Sequence, residues 1–348
     1  MPIIHHATLN EFTTSIFAAT GLPEEQAQTA ANHLVESNLM GHPSHGVMHV
    51  PGYTKALLSG GIQPVGGQTI VRQTPVSQVI DANRSFGVVY TYETMQTAVN
   101  IAKEHTIGAV AVHRSSHIGR LGAYPIMAAA EDCIGIVMLN GGGRFAAPFG
   151  GTERRLPPNP IAISVPTFEG PALMLDITTS MVAGGKVAIQ AARGEPIPDD
   201  WVVDVDGNPV TDAQRFYGNQ DVAMLPLGGL LGHKGYGLAV MIDAIAGGLS
   251  WAGCSTEAPT RGGSGYLALA IKVDSFIDID EYKGEIQKMV EWLRSSRTMP
   301  GVEQVYLPGE LEAIRQRRQE EEGIDIEEST WGRIVETANE VGVAVPSV

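Results

Sequence analysis

The spacing of apolar residues shifts along the chain from helical to strand-like and back to helical. Phe12, Ile16 and Phe17 form a short stripe at 3.6-residue spacing that stops at Gly21, and Pro23 followed by Glu24 and Glu25 reads as a second helix start. Ala27, Ala31, Leu34, Val35 and Leu39 continue that spacing as far as Gly41, a helix-ending glycine. From about residue 77 short β-rich runs at 77–83, 108–114, 134–140, 161–167, 173–177 and 266–273 alternate with helical stretches at 90–105, 120–132, 181–193 and 234–249. Such alternation predicts an α/β body. Between them, 194–232 is rich in Pro, Asp and Gly and reads as a long irregular excursion, of a length that points to a functional loop or lid. Beyond residue 278 the chain is helical and charged, in the manner of a solvated face. The expected organisation is a helical segment over 1–75, a central α/β domain over 76–274, and a helical segment over 275–348 that packs back on the first.

Composition narrows the class. A chain of 348 residues is long enough to bury one or two cores without staples. Its 23 basic and 38 acidic residues give a net charge of -15, which argues against nucleic acid or an anionic membrane surface as partner, because both demand a positive footprint. Cys133 and Cys254 stand far apart in no motif, so neither a disulfide framework nor a cysteine zinc site is expected, and a reducing cytoplasm is the default compartment. No apolar run reaches the roughly 18–20 residues of a membrane span, and the opening MPIIHHATLN lacks a signal-peptide pattern. Two surpluses remain, 41 glycines and 10 histidines.

The glycines do not make a Rossmann loop. Gly141, Gly143 and Ala146 match GxGxxA after a strand-like run, but Pro148, Gly150 and Gly151 follow where a helix must open to hold a pyrophosphate. His42, His45 and His49 fall within eight residues, yet there is no HExxH and no nearby carboxylate, and Pro43 disturbs the helix that would present them. No metal is therefore expected, although a histidine-metal hydrolase stands as the alternative outside the oxidoreductases. Reactive residues gather instead in GHPSHG (41–46), SSHIGRLGAY (115–124), LDITTS (175–180) and GHKGYG (232–237), each at an element boundary. Singly each has a plain reading: Ser44 and His45 as a local cap and turn, His117 as a buried histidine bonding a carbonyl, Asp176 as a helix cap, Lys234 as a surface charge. Together they supply an imidazole for proton exchange, a carboxylate, and a lysine with helix starts for an anion.

These blocks, in the order GHPSHGVMHVPGY, SSHIGRLGAY, APFGGTERRLPPNPIAISVPT, LDITTSMVAGGKV, LPLGGLLGHKGYGLAVMIDAIAGGLSWAG and YLPGELE, resemble the type 2 malate/L-lactate dehydrogenase family over about residues 10–340. The HIGR element and the PGELE ending are most similar to its hydroxycarboxylate dehydrogenase B branch. The resemblance implies a non-Rossmann α/β fold, a homodimer, and an NAD- or NADP-dependent enzyme that interconverts small 2-oxo and 2-hydroxy acids in the central domain. Reduction of a cyclic imine or a diketo acid is the alternative within the same chemistry. It further implies that His45 is the proton donor, oriented by Ser44 and Asp176, with His117 bonding substrate or carboxamide and standing second as acid/base. Cofactor contacts are implied for His45, Gly119, Arg120, Leu121, Leu175, Asp176, Ile177, Thr178, Thr179, His233, Lys234, Leu307, Pro308, Gly309 and Glu310, with Arg120 and Lys234 on the pyrophosphate. Substrate contacts are implied for His49, Arg144 and Asn159. Two departures stand out: His49 occupies a place where several branches carry a carboxylate-gripping arginine, leaving Arg144 or Arg155 as substitutes, and Pro157–Pro158 replace the family's glycine-threonine before Asn159 and Pro160.

Overall fold

The computed structural model describes residues 2–141, 143–168, 172–218, 221–257 and 264–347. The chain opens with β1 (Ile3–Ile4) and the helices α1 (His6–Ala18), α2 (Glu24–Leu39) and α3 (Val50–Leu58). Between α2 and α3 lie two single 3₁₀ turns, Pro43–His45 and Val47–His49. The sheet region follows: β2 (Thr69–Gln73), β3 (Ser77–Asp81), α4 (Gly87–His105), β4 (Ile107–Ser115), α5 (Pro125–Ala130), β5 (Cys133–Asn140), β6 (Ile161–Val165) and β7 (Leu173–Ile177). Next come α6 (Gly184–Arg193), β8 (Val202–Asp204), α7 (Ala213–Gly218), β9 (Val222–Met224), α8 (His233–Ile242), α9 (Gly248–Ser250) and β10 (Ser264–Lys272). The chain ends in α10 (Ile279–Arg294), α11 (Glu310–Glu322), β11 (Ile324–Asp325) and α12 (Glu328–Glu340).

Among the described residues the main sheet has seven strands in the order β2-β3-β4-β10-β5-β6-β7. Only β3 and β4 run parallel, joined through α4, and every other neighbour pair is antiparallel. This is a mixed α/β sheet and not a doubly wound one. β10 lies between β4 and β5, and its residues Tyr266, Ala268 and Ala270 share a core with Val110 and Val112 of β4, Val137 of β5, and Met95, Ala98 and Val99 of α4. The alternate positions of β5, Ile136 and Met138, face the other side, where Leu238, Ile242 and Ala246 cover them. Period-2 alternation is thus used on both faces of one strand. Gly141 and Gly143–Ala146 lie in no helix; Ala146 bridges to Leu156 and Met224 instead.

The sheet starts at Thr69, ahead of the division at residue 75/76 read from the sequence, since β2 pairs with β3. All five β2 residues are exposed on this edge strand, so no apolar alternation marks it. The stretch 194–232 is more ordered than its composition predicts. β8 pairs with β9, and Val202, Phe216, Val222 and Met224 build a core of their own with Val187 of α6. The last segment returns to the first: β11 pairs with β1, and Ile324, Ile326 and Ile334 pack among Leu9, Phe12, Ile16 and Phe17. Among the described residues no helix is long and apolar enough to cross a membrane.

Candidate active site

The double turn after α2 is set by one side chain. Buried Asn38 accepts the Val47 N–H at 2.8 Å and lies so close to Gly46 that a Cβ there would sit 1.8 Å from Asn38 Oδ1. Pinned in this way, the turn places His45, His49 and Tyr53 at successive four-residue intervals, and His117 arrives beside them from the loop after β4. The rings of His45 and His117 are nearly parallel with centroids 6.0 Å apart, His49 lies 5.0 Å from His117, and Tyr53 stacks on His49 at 5.3 Å. His45 and His49 are half-buried, whereas His117 is exposed.

Hydrogen bonds assign the ring nitrogens. Ser44 Oγ lies 3.2 Å from His45 Nδ1. His49 Nε2 lies 2.9 Å from the Ser44 carbonyl, which only accepts, so that nitrogen carries a proton and donates. Tyr53 OH is 2.5 Å from His117 Nδ1. Burial, then the nearby His49, His42, Arg120 and Lys186, pushes the His45 pKa down to about 3. Burial also lowers His49, against the Ser44 carbonyl, which raises it, and burial with the neighbouring imidazoles lowers His117. The cluster is therefore neutral at ordinary pH, and His49 has already spent its one N–H on the main chain.

His42 turns away from this group, with Nε2 3.5 Å from Glu312. The three histidines weighed as metal ligands therefore do not converge, and among the described residues no group of three His, Cys, Asp or Glu side chains could hold a metal ion.

Asp176 and Arg120 stand elsewhere than the sequence predicts. Asp176 Oδ2 accepts the Gly122 N–H at 2.7 Å, so its visible partner is the 119–122 loop and not His45. Burial raises its pKa, opposed by that N–H and by the Arg120 guanidinium. Arg120 is only 2% exposed and is bound to Glu36 at 2.9 Å, with Nε and Nη1 buried and unpaired, so it faces the interior and not a pyrophosphate. Beneath the loop sits His33, a residue to which the sequence alone assigns no role. Its Nε2 accepts the Arg120 N–H at 2.9 Å, its ring stacks on Tyr124, and it fills the space where a Cβ on Gly119 would lie 2.1 Å away. Gly119 also takes φ +65°, which a side chain would disfavour. The available signal was His33 and Ser37, polar and four apart on the buried side of α2.

The other expected residues divide. Thr178 and Thr179 hydroxyls both donate to the Pro158 carbonyl, at 3.0 and 2.7 Å, holding the end of β7, with Leu175 and Ile177 in that strand, against the altered proline loop. Asn159 is wholly buried, its amide nitrogen donating to Ala239 O and Asp243 Oδ2, so it braces α8 and is not open to a substrate. Leu121 is buried, and His233 and Lys234 are exposed at the start of α8, where His233 meets Phe149 edge-on. Leu307 N–H is held by Glu310, whose other oxygen meets Arg294, while the Pro308 carbonyl and Gly309 lie against Met174 of β7. Arg144 and Arg155 line a separate cavity of about 480 Å³ with Tyr236, Ser255 and Thr256. Lys186, in the GGK that opens α6, was also passed over. A Cβ on its neighbour Gly185 would lie 2.7 Å from Ser44 Cβ, so this helix start abuts the histidine turn.

An unfolded histidine titrates near 6.5 and His45 only near 3, so the unfolded chain takes up the proton first as pH falls. The stability this group confers is complete above about pH 6.5 and drains toward pH 3, by up to about 1.4 kcal/mol per unit. Thermal melts should fall steadily from pH 6.5 to 4.5, and His45→Gln should show a shallower fall; equal slopes would show that His45 is not held neutral.

A family model described as malate/L-lactate dehydrogenase matches residues 4–335. The chain is 35% identical to a malate dehydrogenase of Pyrococcus horikoshii over 96% of its own length and 94% of the relative's. It is 31% identical to hydroxycarboxylate dehydrogenase B of Escherichia coli over 97% and 93% of the two chains. The crystal structure of malate dehydrogenase from Entamoeba histolytica superposes with a TM-score of 0.93 at 28% identity, covering 99% of both chains. With sequence and fold agreeing along nearly its whole length, the chain belongs to the malate/L-lactate dehydrogenase family and is an oxidoreductase of the 2-hydroxy acid dehydrogenase kind.

Proposed function

We propose that the protein interconverts a small 2-oxo acid and its 2-hydroxy acid with NAD or NADP, His45 carrying the proton. The observation that carries this reading is the state of His45: neutral, with Nδ1 beside Ser44 Oγ and no hydrogen bond on Nε2 among the described residues. A neutral imidazole with one open nitrogen can take the hydroxyl proton as a 2-hydroxy acid is oxidised, and return it to the alkoxide formed in reduction.

The chain has parts that fit a dinucleotide. Gly228 and Gly229, at φ +108° and +55°, lead into the first turn of α8, which has no side-chain cap, and exposed Lys234 makes no ion pair among the described residues. Free backbone N–H groups and an ammonium are the donors a phosphate requires. Lys234 and that turn would hold the phosphates, with His233, Gly119, Leu121, the β7 end with Thr178 and Thr179, and the Leu307–Glu310 turn as flanking contacts. When bound, the nicotinamide supplies or accepts the hydride. Arg120, through its ion pair with Glu36, and Asp176, through the Gly122 N–H, brace the 119–122 loop from behind.

The substrate carboxylate is assigned to Lys186. It is exposed, its charge reaches His45, and it makes no ion pair among the described residues. His49 does not serve, because its Nδ1 is an acceptor while Nε2–H faces the Ser44 carbonyl. A small 2-oxo or 2-hydroxy acid is the partner this reading requires; a homodimer remains what the family resemblance implies.

His45→Ala should cut turnover on the order of 100-fold or more with cofactor affinity, read from NADH or NADPH fluorescence, near wild type. Loss of cofactor binding instead would make His45 a positioning residue. Because His45 titrates at about 3 in the free protein, its protonated fraction falls about tenfold per unit across neutral pH. Accordingly kcat/KM for 2-oxo acid reduction should fall with that slope between about pH 5 and 8, while kcat/KM for oxidation stays flat; a bell centred near 6.5 would contradict it. Lys186→Met should raise KM for the oxo acid about 10–100-fold with a smaller change in kcat. A panel of 2-oxo acids, diketo acids and cyclic imines with both nucleotides separates the substrate classes.

A further inference from the structure

Tyr53 is the buried aromatic side chain that touches the histidine cluster, and the reaction as described gives it nothing to do. Its ring is fixed on three sides, stacked on His49 at 5.3 Å, edge-on to Phe86 at 5.1 Å and tilted against His117. Its hydroxyl has one partner among the described residues, His117 Nδ1 at 2.5 Å. Burial keeps the phenol protonated far into the alkaline range. A buried hydroxyl proton that finds no acceptor costs about 1–3 kcal/mol, so the arrangement in which Tyr53 donates and Nδ1 accepts prevails over the reverse. A neutral imidazole has a single N–H, and with Nδ1 as acceptor that N–H is Nε2–H. His117 is the most exposed residue of the group, its Nδ1 is held by Tyr53, and no hydrogen bond occupies Nε2 among the described residues. The contrast with His49 is direct: its Nε2–H is spent on the Ser44 carbonyl.

We propose that Tyr53 is a positioning residue that locks His117 as the Nε2–H tautomer, making His117 a fixed hydrogen-bond donor to an oxygen of the 2-oxo acid and excluding it from proton transfer. This rests on the dehydrogenase reading above and deepens it. One imidazole, His45, exchanges the proton. The other, His117, reads an acceptor atom, so the pocket favours ligands that present a carbonyl or carboxylate oxygen at that point and disfavours those that present an N–H.

The test has a readout independent of activity. In protein with ¹⁵N-labelled histidine and no ligand, long-range ¹H–¹⁵N correlation should show His117, assigned by its loss in His117→Gln, as the Nε2–H tautomer. Tyr53→Phe removes one oxygen and keeps the ring packing; it should turn that pattern into a tautomer mixture. In kinetics Tyr53→Phe should raise KM for the oxo acid about tenfold and leave the pH profile of kcat unchanged, and it should add nothing further in a His117→Gln background. An Nδ1–H pattern in the wild type, or additive effects of the two substitutions, overturns the proposal. If the wild type reduces no 2-oxo acid, the functional reading fails, while the NMR pattern still decides the role of Tyr53.

Discussion

Burial of three imidazoles side by side is the constraint on which the site depends. His45, His49 and His117 lie with ring centroids 5.0–6.4 Å apart, and Arg120 and Lys186 add positive potential. Burial first, and for His45 and His117 the neighbouring imidazoles after it, keeps each ring neutral, and each has a definite role through its nitrogens. Ser44 serves this twice, its hydroxyl facing His45 and its carbonyl taking the proton of His49. The same logic extends below the cleft: His33 accepts from the Arg120 N–H, which leaves its other nitrogen to carry the proton toward Tyr92. An acidic protein has thus gathered imidazoles held neutral, with Arg120 and Lys186 as the positive charges felt at His45.

The scaffold explains how such distant residues meet. α2, the double 3₁₀ turn and α3 form a layer whose apolar side is shared with the returning C-terminal strand and helix, so the first and last parts of the chain fix the floor of the histidine turn together. The β4 end and the 119–122 loop come from the sheet, and α6 comes from the β8–β9 unit. Segments resting on three cores therefore meet at the histidine cluster.

Much of this was legible in the sequence. Six β-rich runs and the helical stretches 90–105 and 181–193, found as α4 and α6, follow from period and from glycine and proline punctuation. β2 was not legible because an exposed edge strand has no apolar face to display, and β8–β9 was hidden by the Pro, Asp and Gly of the loops around them. The fold brings His45 and His117 of two motif blocks side by side, but motif membership does not say which way a side chain points. Arg120 and Asn159 lie in the expected loops and Asp176 in the expected strand, yet their side chains engage Glu36, Asp243 and the Gly122 N–H. His33, Tyr53 and Lys186 were missed for the complementary reason: a polar group on a helix looks like core or surface until its partner, here 87 or 64 residues away for His33 and Tyr53, is known.

The place of β10 has a consequence for how the protein is made. It lies at the centre of the sheet but is the last of its strands to be synthesised, about 130 residues after its neighbour β5. At about 5–20 residues per second on the ribosome, β4 and β5 wait on the order of ten seconds with bare hydrogen-bonding edges before the strand that joins them emerges. During that interval the nascent chain holds two open templates for wrong pairing. A ribosome stalled before residue 264 would release a fragment that has most of the reactive residues but no closed sheet, a natural client for chaperones rather than a partly active enzyme.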